Sequence, residues 1–329
     1  MRLVSCLATV LLIAAAAPAA CAEPGAIAIA IHGGAGAVAD MTPEKEAAYR
    51  AGLAQALDAG YAVLARGDSS LDAVTVAVKL LEDNPLFNAG KGAVLAHDGA
   101  AELDAAIMDG RDLRAGAVAG VRHVRNPIEL ARLVMEKSTQ VLLIGDGAEE
   151  FALEQGVTLV PNEYFRTEAR RRQLERALNT AGAPARDEFA AFGTVGAVAR
   201  DARGDLAAAT STGGLTNKRH GRVGDSPIIG AGTYAGNASC AVSATGEGEF
   251  FIRTVVARDI CARVEYQRVP IARAVHDVVQ DELRKLGAEG GVIAIDPAGN
   301  VAMDFNSDTM FRGMRNAHGL RTIAVGRNP

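Results

Sequence analysis

Tryptophan is absent from this chain of 329 residues, and aromatic residues make up only 4% of it. A stacking platform for bases or sugar rings is therefore excluded as an organising principle. Neither sign of charge dominates: 34 Lys and Arg stand against 39 Asp and Glu, for a net charge of −5. A weakly acidic chain has no electrostatic hold on a nucleic-acid backbone. The six histidines (32, 97, 123, 220, 276 and 318) form neither H-x-H nor H-x-x-x-H, so a zinc centre has no local support. There is no G-x-S-x-G elbow, which removes the serine of an α/β-hydrolase. Cysteine is scarce, at four residues, and their spacing is not that of a disulfide framework. Apolar runs stay shorter than a membrane span throughout. Hydrophobic residues at 49% and charged residues at 22% place the chain among ordinary globular proteins, long enough for one large domain or two smaller ones. Glycine is plentiful, at 36 residues, and suits tight turns and closely packed elements.

The N-terminus stands apart. Arg2 precedes an apolar run from Leu7 to Ala17, and Ala20-Cys21-Ala22 has the small-x-small pattern of a cleavage site. This reads as a secretory signal peptide over residues 1–22, cut after Ala22, and implies an exported, periplasmic protein without a membrane span. Cys21 raises a lipoprotein alternative, but Pro18 stands where a lipobox wants a branched apolar residue. Cys6 and Cys21 would leave with the signal. Cys240 and Cys261 remain open between a disulfide and a pair of small buried thiols.

Residues 27–31 read as a buried strand ending in a glycine turn, His32 to Gly36. Helical spacing runs from Glu44 to Ala65. Ser69 with Asp72 marks a capped helix that reaches about Leu81. A loop at 84–90 is followed by β-like runs between Gly92 and Val121, with turns at Asp98-Gly99 and Asp109-Gly110. A helix over 128–135 and a buried strand over 141–144 come next. Residues 166–190 are rich in arginine and read as a solvated helix and loop, or a mobile linker. Paired strands at 194–199 and 206–210, a strand at 242–245, helices at 252–262 and 271–286, and four closing strand-like runs complete the pattern. Strands in adjacent pairs and helices in blocks argue for stacked sheets with helices outside, not for alternating βαβ units.

Two motifs have bland readings. Gly34-Ala35-Gly36-Ala37-Val38-Ala39 fits a dinucleotide fingerprint and leaves an oxidoreductase as an alternative, but the acidic residue at the right distance, Asp58, falls inside a helical pattern. Glu102, Asp104 and Asp109 could bind a hard cation, or serve as strand-edge and turn carboxylates.

Gly193-Thr194-Val195-Gly196-Ala197-Val198 carries more. A threonine hydroxyl is a weak nucleophile without a base beside it. Cleavage of the Gly193–Thr194 bond would free an α-amine, with a reference pKa of about 7.7–8, on the nucleophile itself. Gly193 permits a strained backbone before that bond. Thr210-Ser211-Thr212-Gly213-Gly214 ends the neighbouring strand and presents hydroxyls beside Thr194 if the two pair as a hairpin. Arg222-Val223-Gly224-Asp225 sets a cation near an anion in a Gly/Pro loop. That is ordinarily a surface ion pair, and beside a hydrolytic centre it suits an amino-acid zwitterion. Thr245-Gly246-Glu247-Gly248 has the hydroxyl and exposed N–H composition of an oxyanion hole.

Together with HGGAG (32–36), NPLFNAGKGAV (84–94), ELDAAIMDG (102–110), AGAVAGV (115–121), RNP (125–127) and TNKRHGRVGDSPIIGAG (216–232), these segments resemble the plant-type L-asparaginase and isoaspartyl peptidase family of threonine N-terminal nucleophile hydrolases. The resemblance covers nearly the whole mature chain. It implies an α+β fold, a four-layer αββα sandwich. It also implies a cut at Gly193/Thr194 that yields an α subunit (23–193, with a flexible linker over about 166–193) and a β subunit (194–329), assembled as a homodimer of cleaved units. Thr194 would be the nucleophile, supported by Thr212. Asn88 would contact its amine, and Thr245 with Gly246 would form the oxyanion hole. Substrate would meet Arg222, Val223, Gly224, Asp225, Thr245, Gly246, Glu247 and Gly248. No cofactor is expected for catalysis. A structural sodium would sit on main-chain carbonyls of Leu81, Glu82, Asn84, Phe87, Ala89 and Lys91. The substrates implied are L-asparagine and β-aspartyl dipeptides. Glycosylasparaginase relatives carry Asp before the nucleophile, where this chain has Gly193, so that activity is an alternative, as is a non-enzymatic exported binding protein on the same scaffold.

Overall fold

The computed structural model describes residues 27–36, 41–179 and 193–326. The expected signal peptide (1–22) and the part of the Arg-rich linker from 180 to 192 lie outside the described residues, as do 37–40.

Strand β1 (Ala28–Gly36) is buried along its whole length, as the Ile-Ala run demands of a central strand. The glycines do not end it. The strand continues through them with a register shift between His32 and Gly34, so the expected turn is a bulge within a strand. Helix α1 (Pro43–Ala65) begins at Thr42, whose hydroxyl accepts from the Lys45 N–H at 3.3 Å. Helix α2 (Ser70–Asp83) is capped by Ser69, which accepts from the Asp72 N–H at 3.1 Å, the pair legible in the sequence. The loop that follows makes one 3-10 turn at Gly90–Gly92. Residues 92–100 form no strand, contrary to their β-like pattern. Their backbone is spent in turns, with Ala93 N–H donating to Gly90 and Gly99 N–H to Ala96.

Strands β2 (Leu103–Asp109) and β3 (Ala115–Val121) pair antiparallel, and helix α3 (Pro127–Lys137) packs on them. Strand β4 (Leu142–Ile144) reads as buried in the sequence, but it is the outer strand of its sheet, and Ile144 is 65% exposed. Helix α4 (Gly145–Glu154) has two glycines in its first turn, which conceal it from a periodicity reading. Helix α5 (Glu168–Asn179) occupies the described part of the expected flexible linker, and it is anchored. Buried Arg170 donates to the Gly92 carbonyl at 2.6 Å and to Gln173 Oε1 at 2.8 Å.

Strands β5 (Val195–Arg200) and β6 (Leu206–Thr212) form the expected hairpin, and β7 (Thr233–Gly236) pairs with β8 (Cys240–Gly246). Helices α6 (Gly248–Thr254), α7 (Val256–Ala262) and α8 (Ile271–His276) follow, the last continuing as a π-helical stretch to Leu283. Strands β9 (Gly290–Ile295), β10 (Val301–Phe305), β11 (Thr309–Asn316) and β12 (Arg321–Ala324) close the chain.

The strands form an eight-stranded sheet, ordered β12-β11-β1-β5-β6-β2-β3-β4, and a four-stranded sheet, ordered β10-β9-β8-β7. Among the strands of the described residues, β3 and β4 alone pair in parallel. The fold is α+β. Three apolar clusters organise it. Leu53, Leu57, Val74, Phe87 and Ile128 fill the space between α1, α2, α3 and the large sheet. Ala28, Met108, Val198, Ile293 and Met310 lie between the two sheets. Val242, Phe251, Ile260 and Val279 pack α6, α7 and α8 on the small sheet. No described helix is long and apolar enough to cross a membrane.

Cys240 and Cys261 are bonded, which settles the alternative left open by the sequence. The bridge ties the start of β8 to α7 across 21 positions of sequence. Closing a loop of that size removes unfolded-state freedom worth about 3 kcal/mol. Equilibrium urea unfolding with and without reductant, or of Cys240→Ala/Cys261→Ala, is expected to show a loss of that order.

Candidate active site

The site is built where β1, the start of β5 and the end of β8 meet. Gly34 has φ +110° and lies directly against the Gly193 carbonyl, where a Cβ would collide with the oxygen and sit 3.1 Å from both Gly193 C and N. Gly193 is equally confined. A Cβ on it would overlap Thr245 Oγ1 and lie 3.6 Å from the Gly246 nitrogen. Thr245 Oγ1 in turn accepts from the Ala35 N–H at 3.3 Å. The Gly193 end of the Gly193–Thr194 bond thus lies between the Gly34 backbone and the Thr245 side chain, in space that a Cβ at position 34 or 193 would fill. Beside it are the hydroxyl and the N–H named in the sequence as an oxyanion pair.

Thr194 is buried, and its Oγ1 lies 3.3 Å from Ser226 Oγ. Val195 pairs with Ser211 across β5 and β6, so the next position of that antiparallel register sets Thr212 opposite Thr194. Thr212 Oγ1 accepts from the Gly214 N–H at 2.9 Å. Asn88 is tied to the end of β6: its Nδ2 donates to the Gly214 carbonyl at 2.8 Å, and its Oδ1 accepts from the Val94 N–H at 2.9 Å. Its amide is engaged there on both sides, and the Thr194 amine expected to meet it does not exist while the chain is uncut.

Arg222 and Asp225 converge on Gly248. A Cβ at that glycine would stand 3.0 Å from Arg222 Nη2 and 2.9 Å from Asp225 Oδ1. Gly224 is confined by the same guanidinium, 2.9 Å from where its Cβ would be, and Val223 spans the turn between them. Arg222 is held by both oxygens of Glu249, each at 2.9 Å. Asp225 is buried, and its Oδ2 has no hydrogen-bond partner. Burial raises its pKa to about 7, against the weaker pull of its own backbone N–H and of Arg222. A buried carboxylate missing one partner, next to a guanidinium whose fork holds a displaceable carboxylate, has the form of a receptor for ammonium and carboxylate on one carbon. Glu247 sits apart from that pair, accepting from the Glu289 N–H at 3.0 Å and so fixing the bend after Gly246.

Residues 81–91 run through a series of tight turns. Gly90, at φ +50°, folds back so that a Cβ would strike the Glu82 carbonyl, and Gly92 presses likewise on that of Phe87. The carbonyls of Leu81, Asn84, Phe87 and Ala89 each accept one backbone N–H, which leaves a second lone pair on each for a hard cation. Ala89 and Lys91 enclose the tight Gly90 turn. Main-chain carbonyls with a spare lone pair are donors of the kind a sodium takes. The Glu82 side chain turns elsewhere, accepting from Ser211 Oγ at 2.6 Å and the Ile128 N–H at 3.0 Å, and burial raises its pKa to about 8.

The competing motifs do not form sites. Strand β1 is antiparallel to both neighbours, whereas a dinucleotide fold needs a parallel βαβ unit. Asp58 is taken by Arg315 and Arg321. Glu102 pairs with Arg122 and His220, and Asp109 with Arg111. Among the described residues no group of three His, Cys, Asp or Glu could hold a metal. Three residues at the site escape a sequence reading. Ser226 follows Asp225 and looks like a turn residue. Glu249 looks like an exposed helix carboxylate. His32 reads as the end of a strand, yet its imidazole is fully buried.

A family model described as Asparaginase matches residues 25–325. The isoaspartyl peptidase of Salmonella typhimurium is 55% identical over 308 residues, covering 91% of this chain and 98% of the relative. The isoaspartyl peptidase of Escherichia coli is 52% identical over 312 residues, covering 92% and 97%. A probable isoaspartyl peptidase/L-asparaginase 2 of Arabidopsis thaliana is 42% identical over 325 residues, covering 92% and 99%.

Because the folded pKa of Asp225 is raised, the folded state holds that proton more tightly than the unfolded chain. Its stabilisation is present in acid and lost as pH rises towards about 7. Asp225→Asn is therefore expected to be more stable than wild type at pH 8 by roughly 1–4 kcal/mol, and to lose that advantage by about pH 4. Urea unfolding at both pH values measures the difference.

Proposed function

The chain belongs to the asparaginase family and is a hydrolase. From that premise we propose that it is an exported, self-processing amidohydrolase, which cleaves the side-chain amide of L-asparagine and the isopeptide bond of β-aspartyl dipeptides. The observation that carries the reading is the confinement of the Gly193–Thr194 peptide between Gly34, Thr245 and Gly246. The three apolar clusters support reading the fold as a four-layer αββα sandwich. The Cys240–Cys261 bond suits an oxidising compartment and so supports export.

In self-cleavage the Thr194 hydroxyl attacks the Gly193 carbonyl carbon. The C–N bond breaks and the nitrogen takes the proton, which leaves a free amine on Thr194 and an ester between Gly193 and Thr194 Oγ1; water hydrolyses that ester to the Gly193 carboxylate and the free Thr194 hydroxyl. In turnover that amine accepts the proton of Oγ1 as the oxygen attacks the β-carbonyl of the substrate. Thr245 Oγ1 and the Gly246 N–H stabilise the oxyanion. The leaving ammonia or amino acid takes the proton, and an aspartyl ester remains on Thr194. Water, deprotonated by the same amine, then frees aspartate. Arg222 would exchange Glu249 for the substrate α-carboxylate, and the unpartnered Asp225 Oδ2 would take the α-ammonium. Both substrate classes offer this same head, so one pocket can serve both. A sodium on the carbonyls of Leu81, Glu82, Asn84, Phe87, Ala89 and Lys91 would supply fixed positive charge that orders the loop carrying Asn88. Cleaved units would assemble as a dimer, (αβ)2.

On a denaturing gel the active protein is expected as two bands, and Thr194→Ala as one. A Thr194→Ala chain that still splits at 193/194 would refute the nucleophile. A panel of Asn, β-Asp-Leu and a glycosyl-asparagine is expected to show release of aspartate from the first two only.

Two groups must be deprotonated in the free enzyme, the Thr194 amine and the Asp225 carboxyl, whose pKa is about 7. The logarithm of kcat/KM is therefore expected to fall on the acid side with a slope exceeding one and approaching two per pH unit. A slope that stays at one would leave Asp225 ionised throughout.

A further inference from the structure

His32 has no task in the chemistry just described, yet it is buried on β1 two residues before Gly34, which presses on the Gly193 carbonyl. It is fully buried, and burial lowers its pKa to about 3. The imidazole is therefore neutral at ordinary pH and offers one donor and one acceptor. Its Nε2 lies 2.9 Å from Ser243 Oγ, and Ser243 Oγ lies 2.7 Å from Thr210 Oγ1. Thr233 Oγ1, with one proton, faces two acceptors, Thr210 Oγ1 at 2.6 Å and the Ser226 carbonyl at 3.0 Å. Ser226 Oγ then meets the Thr194 hydroxyl at 3.3 Å.

All five side chains of this run are at most 1% exposed. They come from β1, β8, β6, β7 and the Asp225 loop, so the run crosses from one sheet to the other and ends on Thr194. Hydroxyls in an apolar slab are costly unless each is paired, and apolar residues of the same size would fill the space more simply. Gly196 keeps the first rung open. A Cβ there would overlap Ser243 Oγ and press on His32 Nε2.

We propose that the ladder His32, Ser243, Thr210, Thr233 and Ser226 is a positioning device for Thr194. It fixes the Ser226 carbonyl, and with it the Ser226 hydroxyl that holds Thr194 Oγ1 in one rotamer, so that the oxygen faces the reacting carbonyl in self-cleavage and in turnover. The proposal rests on the reading of Thr194 as nucleophile.

Thr210→Val and Ser243→Ala each remove one rung without changing charge, and Thr210→Ser keeps it. In the full chain, with β-Asp-Leu as substrate, the first two are expected to lower kcat roughly 10–100-fold with KM within about threefold of wild type. Release of the Thr194 chain should slow alongside, and Thr210→Ser should restore both rates. Ser226→Ala, at the polar end of the ladder, decides the matter if Thr210→Val does not fold. The proposal is overturned if Thr210→Val, Ser243→Ala or Ser226→Ala folds and keeps wild-type kcat. It is also overturned if Thr210→Ser loses as much as Thr210→Val, or if kcat falls only in step with melting temperature. A wild-type chain that processes itself but ignores β-Asp-Leu would instead overturn the substrate assignment, and the processing rate would still test the ladder. A wild-type chain that is intact and inactive would overturn the nucleophile and the ladder's task together.

Discussion

The site depends on one close approach of backbone to backbone. Strand β1 bulges at Gly34 onto the Gly193 carbonyl, and β8 ends with Thr245 against the other side of the same residue. Side chains of any size would hold these strands apart. Two glycines remove them, and the bulge at His32/Gly34 turns the β1 backbone toward the junction. The rest of the architecture serves that approach. The β5–β6 hairpin brings Thr212 opposite Thr194, the small sheet carries Thr245 and Gly246, and the loop before β7 brings Arg222, Asp225 and Ser226 to the same place.

Such a site lowers stability where it is built. Asp225 and Glu82 are buried carboxyls, each with one oxygen unpartnered, and burial raises the pKa of both. A charge left incompletely paired in an apolar interior is costly, and its persistence points to a ligand or a neighbour that completes it. For Asp225 the unpartnered oxygen is the one that the proposed reading gives to a substrate ammonium. For Glu82 it is a proton, since its other oxygen already links α2 to β6 and to the start of α3. The clusters on either side of each sheet and the Cys240–Cys261 bond offset these losses far from the chemistry.

Much of this was legible in the sequence because short-range chemistry leaves short-range marks. The Ser69 cap, the β5–β6 hairpin and the paired Arg222 and Asp225 all appear as local patterns. The errors share one cause, which is that tertiary context decided the outcome. HGGAG looks like a turn because glycine usually breaks strands, but pairing with β5 and β11 carries β1 straight through it. Leu142–Ile144 looks buried because it is apolar, yet it sits at a sheet edge. The run from His32 to Ser226 could not be read at all, since its five residues come from five separate segments and meet only when two sheets stack.

The most direct test is to quench the enzyme during turnover of a β-aspartyl dipeptide and identify the modified peptide by mass spectrometry. An aspartyl increment on a peptide whose first residue is Thr194 is the expected result. An increment on any other residue, or full activity from a polypeptide still joined through Gly193 and Thr194, would contradict it.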